Sequence, residues 1–239
     1  MDDFLIKNYI HITHFVEILA AVTGILLFKK YKYTYTKYFI YFLVFIAFAE
    51  IVSMYTYLVE NNGILGFLKD TVFRRNYWWG TLFWSIGGIM FYSFYFLKIL
   101  KTKRFRIILK ISRYAFLCFC LIYIALNFSD FFIRPFQIIS VLGALIIFMC
   151  AIFYFLEILE SDTVLYFYKS INFYIAATIF LWWLIITPLV FFHIYFRNVD
   201  WDFIHLKWKI FLFSNIFMYL TFTFAFIWCS PEKEHNLKE

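Results

Sequence analysis

Apolar runs of about twenty residues recur along nearly the whole chain, and that is the length a helix needs to cross a hydrocarbon core of roughly 30 Å. Backbone polar groups in hydrocarbon must be satisfied internally, so a lone apolar run of this kind crosses as an α-helix. A soluble helical protein would carry polar faces on these segments, and they have none. With 64% hydrophobic and 15% charged residues, the chain lies far from the roughly half-apolar, quarter-charged balance of soluble domains. The reading is an all-α membrane protein, a seven-transmembrane-helix bundle with spans near 9–28, 38–59, 77–97, 107–126, 136–158, 171–194 and 207–228. Its links are short, so residues 1–239 are expected to form one integral membrane domain in contact with the lipid bilayer. Met1-Asp2-Asp3 is acidic where a secretory signal needs positive charge, so the first span is expected to stay in the protein.

The net charge of +7 follows topology and does not point to a nucleic-acid partner. Lys29, Lys30, Lys32 and Lys37 follow span one, and Lys98, Lys101, Lys103, Arg104, Arg106, Lys110 and Arg113 follow span three. Lys169 follows span five, with Lys233 and Lys238 in the tail. The positive-inside rule then puts the N-terminus outside and the C-terminus in the cytoplasm, with a bacterial inner membrane as the expected location. Glu157, Glu160 and Asp162 close span five beside the Lys98–Arg113 link. Local ion pairing is the simpler expectation for them, and docking of a signalling partner the sharper one.

Between spans two and three, Asn61-Asn62-Gly63 signals a turn. Ile64, Leu65, Phe67, Leu68 and Val72 then recur at helical spacing, which predicts a short amphipathic helix on the outer surface. Arg74 and Arg75 with Tyr77, Trp78 and Trp79 read as an interfacial anchor, as do Trp201 and Trp208 near span seven. Cys118 and Cys120 are two apart on one helix and cannot share a site, and the four cysteines show no disulfide or zinc spacing. Pro188, after Thr187, predicts a kink in span six.

Two acids interrupt the first two spans. Glu17 and Glu50 each lie roughly 12–14 Å below the outer ends of their helices, and consecutive spans joined by a short link usually pack together. Charged residues at such depth usually turn inward and mark a site. Glu17 shares a face with Ala20, Ala21 and Gly24, and Glu50 shares one with Ala47 and Ser53; small residues are what close helix packing in a membrane selects. Ser85, Thr187 and Asn215 fall at similar depth, which predicts a polar layer in the outer half of the bundle. Two carboxyls in a low-dielectric site are not expected to be ionised together, so one is expected to hold a proton and donate a hydrogen bond.

His11 and His14 begin span one, His193 ends span six, and His205 lies in the last outer link with Asp200 and Asp202. His11, His14 and Glu17 run i, i+3, i+6 along one side of a helix. Imidazole and carboxylate are ligands suited to zinc or a similar divalent metal, so an outer metal site is a minor alternative.

Seven spans invite comparison with known membrane folds. A retinal protein needs a lysine midway along its last span, but residues 215–228 contain none. The seven-helix ceramidase-like and progestin-receptor-like hydrolases carry a late-span histidine pair, and span seven has no histidine. Spans one to three and five to seven show no repeat of the kind sugar transporters have. The chain does resemble a group of small seven-span bacterial membrane proteins. The likeness rests on Glu17 and Glu50, on Phe155-Leu156-Glu157-Ile158-Leu159-Glu160-Ser161-Asp162, and on Ala225-Phe226-Ile227-Trp228. It implies the fold and no activity.

Three functions are compatible with this pattern. The first is a receptor-like sensory protein that binds a small ligand or protons at Glu17 and Glu50, supported by Ser85, Thr187 and Asn215. The second is a transporter or channel for protons or a small ion using the same acids. The third is an intramembrane enzyme built on the outer histidines, the acids and a metal.

Overall fold

The computed structural model describes residues 4–5, 8–60, 63–192 and 201–231. Seven helices are long and apolar enough to cross a membrane: α1 Tyr9–Leu26, α2 Thr36–Val59, α3 Tyr77–Ile99, α4 Lys103–Leu126, α5 Gln137–Leu159, α6 Ile171–Phe191 and α7 Ile204–Trp228. No strand occurs among the described residues, and the protein is an integral membrane protein. Large apolar side chains such as Leu26, Phe48 and Leu126 face outward toward lipid.

Six of the helices close into a ring. α7 packs on α1, α1 on α2, α2 on α3, α3 on α5, α5 on α6, and α6 back on α7. α4 stands outside the ring, against α3 and α5. It buries only Leu109, Phe116 and Cys120, and Cys118 on its other side is exposed. α1 meets α2 and α7 closely at Gly24, where an added methyl would meet Ile40 at 3.3 Å and Phe226 at 3.4 Å.

Within the ring the core is aromatic. Phe39 touches Tyr95, Phe222 and Phe226, with the Phe222 ring edge-on at 4.9 Å. Phe42 and Phe91 stack in parallel at 3.9 Å. Beside this cluster, Tyr95 donates a hydrogen bond to Asn172 Oδ1.

The end of the bundle that carries the basic links is stapled by hydrogen bonds. Tyr31 Oη donates to the Phe226 and Cys229 carbonyls at 3.0 and 2.9 Å, and Lys30 Nζ to the Phe226 and Ile227 carbonyls at 3.0 and 3.2 Å. These are last-turn carbonyls of α7, which a helix leaves unpaired and where a cation is favourable. Burial pushes the Tyr31 phenol up, so it stays a donor at physiological pH. Glu157 accepts backbone N–H bonds from Lys101 at 2.9 Å and Thr102 at 2.6 Å. The carboxylate therefore caps the residues that lead into α4, where the sequence suggested side-chain ion pairing. The ion pairs among the described residues are instead His14–Glu17 and Arg134–Asp130.

Two local expectations are corrected. α4 starts at Lys103, not 107, because lysine and arginine are good helix formers and their long stems can run along apolar surface to reach water. The stretch after Gly63 forms two short 3₁₀ turns, Gly66–Leu68 and Val72–Arg74, and not an amphipathic α-helix. Gly66 weakens the helix, and the Thr71 hydroxyl accepts from the Phe73 N–H to start a new turn. The indoles of Trp78 and Trp79 donate to Tyr55 Oη and to the Ala49 carbonyl, pinning α3 to α2. Trp208 is exposed and meets Tyr9 edge-on at 5.1 Å, a placement that suits a belt residue. The Asn61-Asn62 turn lies outside the described residues, as do the side chains of Asp162, Trp201 and Asp202.

Gly24→Leu should force α1 from α2 and α7. Overpacking at such a contact costs about 1–3 kcal/mol. That should lower the thermal unfolding midpoint of the purified protein by about 2–4 °C per kcal/mol. Gly66→Ala, with no atom within 4 Å of the new methyl, should leave the midpoint within about 0.5 kcal/mol.

Candidate functional site

Glu17 projects from the buried face of α1, which also holds Val16, Ala20, Ala21 and Gly24. Its side chain is 2% exposed. Tyr219 Oη of α7 donates to Oε1 at 3.3 Å, and His14 Nδ1 lies 3.5 Å from Oε2, one turn away. Small neighbours make this possible: Ala20, Ala21 and Gly24 let α7 approach closely enough for Tyr219 to reach the acid.

Glu50 sits on α2, partly buried, and lines the same cavity as Glu17. Its contact with Ser53 Oγ is long, at 3.5 Å, because that hydroxyl already donates to the Glu50 backbone carbonyl at 2.8 Å. One carboxyl is thus held by its neighbours, while the other has a single weak partner among the described residues.

Both acids line one cavity of about 440 Å³. It runs from helix-end residues Tyr9, Tyr57 and Asn76 down to Glu17 and Tyr219. Its wall mixes polar side chains with aromatic rings, among them Trp84 from α3, Trp182 from α6 and Phe211 from α7. Trp84 and Trp182 meet edge-on at 5.6 Å. Trp182 Nε1 donates to Asn215 Oδ1 at 2.9 Å, which fixes both side chains. Asn76 donates to the Ser53 carbonyl at 3.0 Å near the mouth. Below Tyr219 the aromatic cluster around Phe39 and Phe222 forms a floor. No lysine or arginine lines the cavity among the described residues.

Of the residues read from the sequence, Glu17, Glu50, Asn215 and the metal candidate His14 come together on this cavity. Ser85 does not reach it. Its hydroxyl lies 3.3 Å from Ser140 Oγ of α5, on a smaller cavity of about 300 Å³ that also borders Glu50, Ser53 and Trp84. Gly80–Gly88 is wound as a π-helix, which shifts the register of the face so that Trp84 lines the larger cavity. Thr187 also lies elsewhere: its hydroxyl donates at 2.6 Å to the Trp183 carbonyl of its own helix, one turn before Pro188. His11 and His205 are exposed. His193 and Asp200 lie outside the described residues. Among the described residues no three His, Cys, Asp or Glu side chains gather closely enough to hold a metal.

Sequence reasoning missed Tyr219, Trp182 and Trp84. Tyr219 follows Asn215 by one helical turn, so it shares that face, and this spacing could have found it. The two tryptophans gave no such signal, because an indole in an apolar run reads equally as lipid-facing or interior. No protein-family model, no curated protein and no solved structure matches the chain.

Tyr219→Phe should remove the Glu17 donor and cost about 1–3 kcal/mol, as bonds to acids do. Thermal unfolding in detergent checks it. Thr187→Val, which loses only a bond to its own helix, should stay within about 0.5 kcal/mol.

Proposed function

We propose that this is a receptor-like membrane protein that takes a small ligand into the Glu17/Glu50 cavity. The observation that carries this reading is the cavity of about 440 Å³, which reaches two acids and ends on an aromatic floor. Ligand sites are commonly clefts of about 300–1,000 Å³ with apolar walls and a few convergent polar groups. A cavity with a packed floor suits recognition better than passage. The concentration of lysine and arginine at the opposite end supports an orientation with the N-terminus outside, the C-terminus cytoplasmic and the cavity open to the exterior, in a bacterial inner membrane.

In this reading the ligand acts on the α1–α2–α7 contact. The same helix pair, α1 and α7, is tied at the far end by Lys30 and Tyr31, so a shift around Glu17 is carried to the cytoplasmic face. A separate partner reads it there, at the Lys98–Arg113 segment and the nearby Glu157, Glu160 and Asp162. The acids hold the ligand, with Asn215 as a hydrogen-bonding group.

Transport is the second reading, and one observation favours it. Another cavity, of about 590 Å³, lies beyond the aromatic floor at the basic end, lined by Tyr154, Asn172 and Ser170. A rearranged floor would join the two cavities.

Proteoliposomes under an imposed proton gradient separate the readings. The receptor reading expects no proton flux above that of protein-free vesicles. Flux that Glu17→Gln abolishes would replace it with transport.

A further inference from the structure

We propose that the cavity selects a small organic cation, an alkylammonium or quaternary ammonium group, held by the Glu17 and Glu50 carboxyls beside the indoles of Trp84 and Trp182. The inference rests on the reading of this cavity as a ligand site and adds the chemical class of its ligand.

Charge is the first argument. Two acids line the cavity, and the titratable cation beside them is His14, already engaged with Glu17. α7 carries two lysines toward the mouth, Lys207 and Lys209; Lys207 lies over the Phe211 ring at 5.9 Å, about two turns nearer the mouth than Asn215, and neither lines the cavity. An anionic ligand would enter a site with a carboxylate and no lining lysine or arginine among the described residues to receive it. A neutral apolar ligand would add no positive charge beside the two acids, for which His14 is the one titratable cation among the lining residues.

The walls are the second argument. A bare metal ion would need a gathered set of ligands, and no such group occurs among the described residues. It would also make no use of the indoles. An ammonium group uses both features, because aromatic faces carry negative quadrupole potential and attract a cation within about 6 Å. Trp84 and Trp182 meet edge-on at 5.6 Å, and both line the cavity. The Asn215 bond holds Trp182 in place before any ligand arrives, which lowers the ordering cost of binding. Glu50, with its one long contact to Ser53, is the acid free to meet the incoming charge.

The test uses the full chain in lipid nanodiscs at fixed ionic strength, with choline, its neutral carbon isostere 3,3-dimethylbutanol, and acetate as probes. Thermal unfolding midpoint and tryptophan fluorescence report binding. Choline should bind saturably and at least tenfold more tightly than the neutral isostere, with acetate silent. Trp84→Leu and Glu50→Gln should each weaken choline binding about tenfold. Equal affinity for choline and its isostere, or tighter binding of acetate, would overturn the cation proposal while leaving the cavity a ligand site. No saturable response to any probe would overturn both. The wild-type comparison decides even if a variant does not fold.

Discussion

The Glu17 carboxyl lies about 12 Å along an apolar helix and is almost fully buried, so it has to be met by donors from its own protein. His14 lies 3.5 Å away in the preceding turn, and Tyr219 donates from the adjacent helix α7. That second bond is possible only because α1 presents Ala20, Ala21 and Gly24 to its neighbours. The acid thus fixes the α1–α7 pairing near one end of the bundle. Lys30 and Tyr31 fix the same pairing at the other end, by capping the α7 carbonyls. Glu50 enters from α2 with little bonding of its own, and the gap it faces becomes a cavity.

Between the two ends lies a packed layer of rings. Within a bilayer, apolar side chains gain nothing from leaving lipid for one another, so helices hold together through close packing and polar bonds. Flat rings serve the first need, since each makes many dispersion contacts when interdigitated. Phe39, Phe42, Phe91, Tyr95 and Phe222 do this across three helices, α2, α3 and α7. The layer divides the polar space of the bundle into two cavities, one over the acids and one over Asn172. That division suits the recognition proposed for the first cavity, and it also marks where a transport step would have to act.

Spans, and the inward turn of the acids, were legible because hydropathy and small-residue spacing act through simple geometry. Gly24, one turn beyond Ala20 and Ala21, announced the face on which Glu17 lies. Other features were hidden for physical reasons. Thr187 looked like a site residue at the right depth, but a threonine hydroxyl inside a helix can bond its own upstream carbonyl and need no partner. Ser85 was displaced by the π-helical winding of Gly80–Gly88, which breaks the 3.6-residue count that face assignment assumes. The first turn of α4 was lost because hydropathy ends before the hydrogen bonds do. The indoles of the cavity carried no period to read.

The claim beneath all of this is that Thr13, which lines the cavity from α1, and Glu50 face aqueous space while Phe48 and Ile51, 64% and 52% exposed on the outer surface, face lipid. Single cysteines at these four positions, in a background with the native cysteines replaced, can be challenged in membranes with a cationic, membrane-impermeant thiol reagent from the N-terminal side. Labelling at 13 and 50 should run at least tenfold faster than at 48 and 51. A silent position 50, or equal rates at 48, 50 and 51, would contradict the shared cavity.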